Sequence, residues 1–325
     1  MRIDHRRLSR HRGNSGFTLV EAAALVVVAA VGGALMHAAN PISRARESAR
    51  TLTDSTNQRN MIQAMITWAV NNKEILPLPS MLDRSNTTVK ETGRAKDTSA
   101  NIMSMLVFNQ SLTPEVLISP LEINPKISVH KSYQFMNPSK AVDKAKALWD
   151  PGFSADFTST DGGHLSYAHT PPTGTFGEKP SGRAARWMVT FSAEETLTSN
   201  RGPEVTKVTY AADATPPGDD LTFTAEIAKA ESLAMKFFPL TGEPGAWTGS
   251  VSYADGRVQL AKGAFAPGKP AKAEFHYATQ RDGKDAKRPD VLFFDEADDK
   301  AENNSFHSVF IKAGDKKSDF KPIWD

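Results

Sequence analysis

The 325-residue chain contains no cysteine. Disulfide frameworks, thiolate metal ligands and cysteine nucleophiles are therefore excluded, although the absence does not by itself identify a compartment. Charge is nearly balanced, with 39 lysine and arginine residues against 37 aspartate and glutamate, a net of +2. The first sixteen residues hold Arg2, Arg6, Arg7, Arg10 and Arg12 against Asp4, so the remainder carries a small net negative charge. A folded body of that sign lacks the basic face that nucleic acid requires, and no nucleic-acid partner is expected. No serine sits in a Gly-x-Ser-x-Gly elbow, and no Gly-x-x-x-x-Gly-Lys-Ser/Thr phosphate loop occurs, so Asp295-Glu-Ala-Asp298 is a chance likeness to helicases. Nothing points to catalysis, and neither a cofactor nor a metal is expected.

Long apolar runs are also scarce. One stands out, from Phe17 to Ala39, with Glu21 as its only formal charge. At 1.5 Å per residue it would make about 35 Å of helix, enough to cross a bilayer with some tilt. A carboxylate inside such a segment costs a few kcal/mol and marks a functional partner. The basic residues before the run place the N-terminus on the cytoplasmic side and the rest of the chain outside, as a single-pass protein of the inner membrane.

The six residues Gly16-Phe-Thr-Leu-Val-Glu21 ahead of this run resemble the processing site of type IV prepilins and type II secretion pseudopilins. The resemblance implies cleavage by prepilin peptidase after Gly16, N-methylation of Phe17 as the new first residue, and use of Glu21 in assembly with other pilin or pseudopilin subunits. The α-amine of one subunit, once buried, needs a counter-ion, and the Glu21 of a neighbour supplies one. An ordinary secretory signal fits less well: its apolar core is shorter, and His37 spoils the cut site at Met36–Asn40. The residues after Arg6-Arg7 do not continue a twin-arginine signal, and a plain anchor has no need of Glu21.

Beyond Pro41, which follows Gly32-Gly33 and interrupts helix hydrogen bonding, the pattern becomes amphipathic. Ile42, Ala45, Ala49 and Leu52 lie at helical spacing, and Met61, Met65 and Trp68 continue an apolar stripe with Ile62, Ile66 and Ala69 beside it. Arg44, Arg46, Glu47, Arg50, Asp54 and Arg59 are read as filling other faces. The helix is expected to end at Asn71 or Asn72, before Pro77 and Pro79. Downstream, Asp83–Ala100 reads as an exposed loop and Ile102–Phe108 as an apolar helix. Strands are expected at 165–168, 186–191, 205–210, 248–253, 258–260, 273–277, 291–294 and 307–311, with a helix over 226–238. Asp255-Gly256 between two alternating stretches marks a hairpin.

A second resemblance, to a planctomycete-type group of prepilin-like proteins, rests on Arg44–Arg50, Asn60–Asn72, Leu76-Pro77, Gly163–Ala168, Arg186-Trp187, Ser199–Glu204 and the Asp255-Gly256 hairpin. Members commonly carry a cysteine before the helical turn and histidines around the hairpin. This chain has Thr56-Asn57, Gly245 and Arg257 in those places, so any role of those histidines is absent.

The expected fold, as these resemblances imply it, is pilin-like α+β: a long N-terminal α-helix whose first half spans the membrane, then a C-terminal β-rich globular head. The expected boundaries are 1–16 for the leader, 17–39 for the transmembrane and assembly helix in contact with lipid, 40–79 for the amphipathic stalk and 80–325 for the extracytoplasmic head. The expected function is that of a non-enzymatic pseudopilin or minor-pilin subunit; the alternative is an anchored extracytoplasmic protein that binds glycan or protein and never polymerises. Asp161, His164 and His169 are close in sequence, but the histidines fall on opposite faces of a strand. Asp295, Glu296, Asp298, Asp299 and Glu302 could offer calcium several carboxylate oxygens, but they lack the spacing and central glycine of a calcium loop, and a solvated acidic loop is the main expectation.

Overall fold

Met61, Ile62, Met65 and Ala69 recur at helical spacing and are buried together, which is why this stretch is helical and where it packs. The computed structural model describes residues 19–210, 222–272, 276–281, 284–296, 302 and 304–325; for 19–40, 276–281 and 284–289 it describes the backbone alone. Helix α1 spans Leu19–Val70, with Pro41 inside it. The chain divides into two compact units, Met1–Arg46 and Glu47–Asp325, and the second is described from here on.

Within that unit α1 ends where Asn72 N and Glu74 N both donate to Ala69 O, at 2.8 and 2.9 Å. Lys73 and Glu74 take left-handed backbone conformations, a common way to satisfy the last helical carbonyls. Two further α-helices follow, α2 (Pro79–Leu82) and α3 (Ser99–Phe108). In α3, Thr98 accepts a hydrogen bond from Asn101 N as N-cap, and Ile102, Met103, Met105, Leu106 and Val107 are all buried, as in a helix enclosed on every side.

The strands are β1 (Tyr167–His169), β2 (Thr196–Asn200), β3 (Val205–Tyr210), β4 (Thr222–Ile227), β5 (Trp247–Tyr253), β6 (Val258–Phe265), β7 (Pro270–Lys272), β8 (His276–Arg281), β9 (Lys284–Pro289), β10 (Val309–Lys312) and β11 (Lys321–Ile323). They form four antiparallel sheets, ordered β1-β2-β5-β6, β3-β4-β7, β8-β9 and β10-β11. β2 and β5 are buried at every position, as expected of central strands covered on both faces. The β5–β6 hairpin turns at Asp255-Gly256 as its sequence predicts, with Gly256 at φ 85° and Asp255 Oδ1 accepting from Arg257 N.

The two largest of four apolar clusters among the described residues hold most of the unit together. One joins α1 to α3, β1 and Trp187. The other gathers Trp247, Val251, Phe265, Phe293 and Phe223 between β4, β5, β6 and the 291–293 segment. Gly202 is required there: a Cβ on it would lie 2.2 Å from the Phe293 ring.

The expected pilin-like α+β fold is corrected. Among the described residues, eleven strands in four sheets and only three α-helices are present, and no helix is long and apolar enough to cross a membrane. The expected single-pass placement in the inner membrane is overturned by the same finding. The expected helix over 226–238 is also absent. Phe223 and Ala225 are buried while Glu226 is exposed, a two-residue period, and pairing of β4 with β3 and β7 takes these residues into a sheet. Only a short 3₁₀ turn, Leu233–Lys236, follows. The segments 186–191 and 291–294 are irregular, although Met188 bridges Ile75. Of the expected strand 273–277, residues 273–275 lie outside the described residues.

Candidate functional site

The most organised polar arrangement lies along the inner face of α1, on residues that sequence patterning had assigned elsewhere. Ala49 and Leu52 face solvent, whereas Glu47, Asp54 and Gln58 are buried. These three continue the Met61–Met65 stripe toward the N-terminus at steps of seven, four and three residues. That backward extrapolation is the signal that would have found them, and their polarity hid it.

Asp54 Oδ1 accepts from Ser119 Oγ at 2.5 Å, Tyr167 OH at 3.0 Å and Asn200 Nδ2 at 3.1 Å. Gln58 Nε2 lies 3.5 Å from Asp54 Oδ2 and donates to Ser250 O at 3.1 Å. Asn200 Oδ1 in turn accepts from Ser250 N at 2.6 Å, and Thr198 Oγ1 pairs with Ser252 Oγ at 2.6 Å. Side chains of β2 and β5 that point toward the helix are thus polar. Burial pushes the Asp54 carboxyl above the ordinary carboxylate range, against the hydrogen bonds from Ser119, Asn200, Ser250 and Tyr167. Tyr167 is raised by burial and by Asp54 itself. Two turns earlier, the Glu47 carboxylate accepts from Leu240 N, Thr241 N and Thr241 Oγ1, the last two at 2.7 and 2.6 Å. The contacts to Asp54 and Glu47 each supply a donor to a buried carboxylate and fix the position of α1.

The histidines form separate arrangements. His169 Nδ1 donates to Thr170 O at 2.8 Å, which leaves Nε2 to accept from Ser99 Oγ at 2.7 Å. This has the spacing of a nucleophile and its base, but both residues are fully buried and Ser99 Oγ already accepts from Phe310 N at 2.7 Å. Burial lowers His169 to about 4 and His307 to about 3, so both are neutral near pH 7. His307 lies 3.0 Å from both Thr196 Oγ1 and Ser199 Oγ. At the surface, His164 stacks on His130 with centroids 4.4 Å apart, and His130 Nε2 is 3.6 Å from Asp150. Burial, then His164, lowers His130.

Asp161, His164 and His169 do not converge: Asp161 is exposed, His164 joins His130, and His169 is enclosed beside Ser99. Asp295 is paired with Arg183 at 2.6 Å and Lys317 at 2.8 Å, while Glu296 is buried and accepts from Tyr210 OH. Asp298 and Asp299 lie outside the described residues. Among the described residues, no group of three histidine, aspartate or glutamate side chains is placed to hold a metal ion. A pocket lined by Phe223, Trp247, Phe265 and Phe293 has a cavity volume of only about 10 Å³, far below that of a ligand site. Gly16 and Phe17 lie outside the described residues. Glu21 lies within α1, where only the backbone is described.

No protein-family model matches the chain, and neither the curated proteins nor the solved structures give a match. The reading of the site therefore rests on its own residues.

Proposed function

We propose that the chain is a non-enzymatic structural subunit of the pseudopilin or minor-pilin kind. Prepilin peptidase would cut it between Gly16 and Phe17, the new terminus would be methylated, and Glu21 would guide its assembly with other subunits into a type II secretion pseudopilus or a pilus-like filament. The Gly16–Glu21 motif, whose last three residues are the first of α1, carries this reading.

Support comes from how the later turns of the same helix are held. From Glu47 to Ala69, α1 is bound into the body by two buried carboxylates and an apolar stripe instead of leading into a loose linker. Such seating fixes the helix in register with its sheet, which suits a subunit that positions one part of itself by assembling through another. Glu21→Ala in the full chain tests the reading. Cleavage after Gly16 persists and incorporation into high-molecular-mass assemblies is lost; assembly at the unsubstituted level would refute the role of Glu21.

A further inference from the structure

Phe191 sits in a conformation that neither packing nor backbone preference favours. Its side chain is 65% exposed, and its φ of 51° is one that bulky residues rarely adopt. The surroundings enforce this geometry. Val189 N donates to Glu74 O at 2.8 Å, Ala254 N to Glu195 O at 2.9 Å, and Arg257 Nη2 to Ala193 O at 2.7 Å. Lys73 and Glu74, on the segment paired with Val189, are also left-handed. Strained, exposed residues held by their neighbours concentrate at functional surfaces. The charged residues on the segments that hold Phe191 are mostly acidic, Glu74, Glu194, Glu195 and Asp255 against Lys73 and Arg257.

A second surface has the opposite charge. Between Pro125 and Trp149 the chain has five lysines, Lys126, Lys131, Lys140, Lys144 and Lys146, and one acid, Asp143. All five lysines are exposed. The loop is rigid: Tyr133 OH donates to Ser104 O at 2.6 Å, Gln134 N to Asp150 Oδ2 at 2.9 Å, Ser139 N to Gln134 Oε1 at 2.6 Å and Asp143 N to Thr87 O at 2.7 Å. It presents Phe135, 44% exposed, and Met136, 79% exposed, among those lysines.

We propose that these two surfaces are the halves of one head-to-tail contact between copies of this chain. The lysine-rich Phe135–Met136 loop of one copy seats on the acidic segments that hold Phe191 of the next. Aromatic residues and methionine are enriched at interface centres, opposite charges at the rim set register and encounter rate, and both backbones are already ordered. The two halves differ, so the contact is heterologous and propagates into an open chain unless its rotation closes a ring. This deepens the assembly reading and rests on it.

Because the chain has no cysteine, engineered pairs report without background. Full-length Met136→Cys and Phe191→Cys variants, mixed and mildly oxidised, give a disulfide-linked dimer that neither variant forms alone. Lys131→Glu with Lys140→Glu in the first variant lowers its yield roughly tenfold, and Glu194→Lys with Glu195→Lys in the second restores it. No dimer in the mixture, or equal dimer from either variant alone, overturns the contact. The mature N-terminus is scored in the same samples. Cleavage after Gly16 without dimer refutes the contact alone; dimer from chains never cut there supports the contact and refutes the prepilin reading.

Discussion

Two stretches of one helix meet the same body through different chemistry. Met61, Ile62, Met65 and Ala69 bury apolar surface against α3 and Trp187, whereas Glu47, Asp54 and Gln58 bury carboxylates and an amide against β2, β5 and the turn at Leu240-Thr241. Apolar burial is strong but indifferent to small rotations of the helix. Hydrogen bonds to a buried carboxylate are directional, and a slip of one residue would leave Ser119, Tyr167 and Asn200 with unsatisfied donors. Stability thus comes mainly from the Met61–Ala69 stretch and register from the Glu47–Gln58 stretch.

The largest effect is expected in the apolar stretch. Ile62→Ala leaves a cavity in the core and should cost about 3 kcal/mol in urea unfolding. Leu52→Ala, on the exposed face, should change stability by less than about 0.5 kcal/mol. Equal losses would break the assignment of inner and outer faces.

Asp54→Ala follows, at about 2 kcal/mol, because its donors are left buried without an acceptor. Asp54→Asn keeps one oxygen and should cost roughly half as much. Combined with Tyr167→Phe, Asp54→Ala should be less than additive, since one lost bond is counted twice. Additive losses would mean that the network is not a unit.

Much of this was legible in the sequence, and the failures have a common cause. β3 at Val205–Tyr210 and the Asp255-Gly256 hairpin follow from two-residue alternation and turn chemistry, and α1 stops one residue before Asn71. Patterning failed where polar side chains serve as core. Ile42, Ala45, Ala49 and Leu52 make a convincing apolar stripe, yet all four face solvent, and alternation assigns no strand to Thr196–Asn200 although it is a fully buried one. Hydrophobic periodicity cannot locate a face whose partners are Ser119, Asn200 and Ser250. The site was missed for the same reason, and the charge on Asp54 marked it as surface.

The smallest effect concerns pH and separates the helix seam from the buried histidines. His169 and His307 titrate at about 4 and about 3 in the folded state, against an ordinary 6.5. The unfolded chain therefore binds more protons, and stability falls as pH drops from about 6.5 toward 3. Asp97, raised to about 6 by burial, acts in the opposite sense between about 6 and 4, and Asp54, whose carboxyl burial also raises, acts in the same sense as Asp97. The net change between pH 7 and pH 5 should be a loss, read by urea unfolding at the two pH values. In Asp54→Asn the fall with acid should be steeper, because an opposing gain has been removed. An unchanged slope would place the Asp54 carboxyl in the ordinary range.

The central claim concerns the other end of α1: that the seated helix begins at a processed terminus. Intact-mass and N-terminal peptide spectrometry of the chain from cells that contain a prepilin peptidase tests it most directly. The account predicts a mature protein that starts at N-methylated Phe17. A chain that retains Met1, or one that begins at Asn40 after an ordinary signal cut, would contradict it.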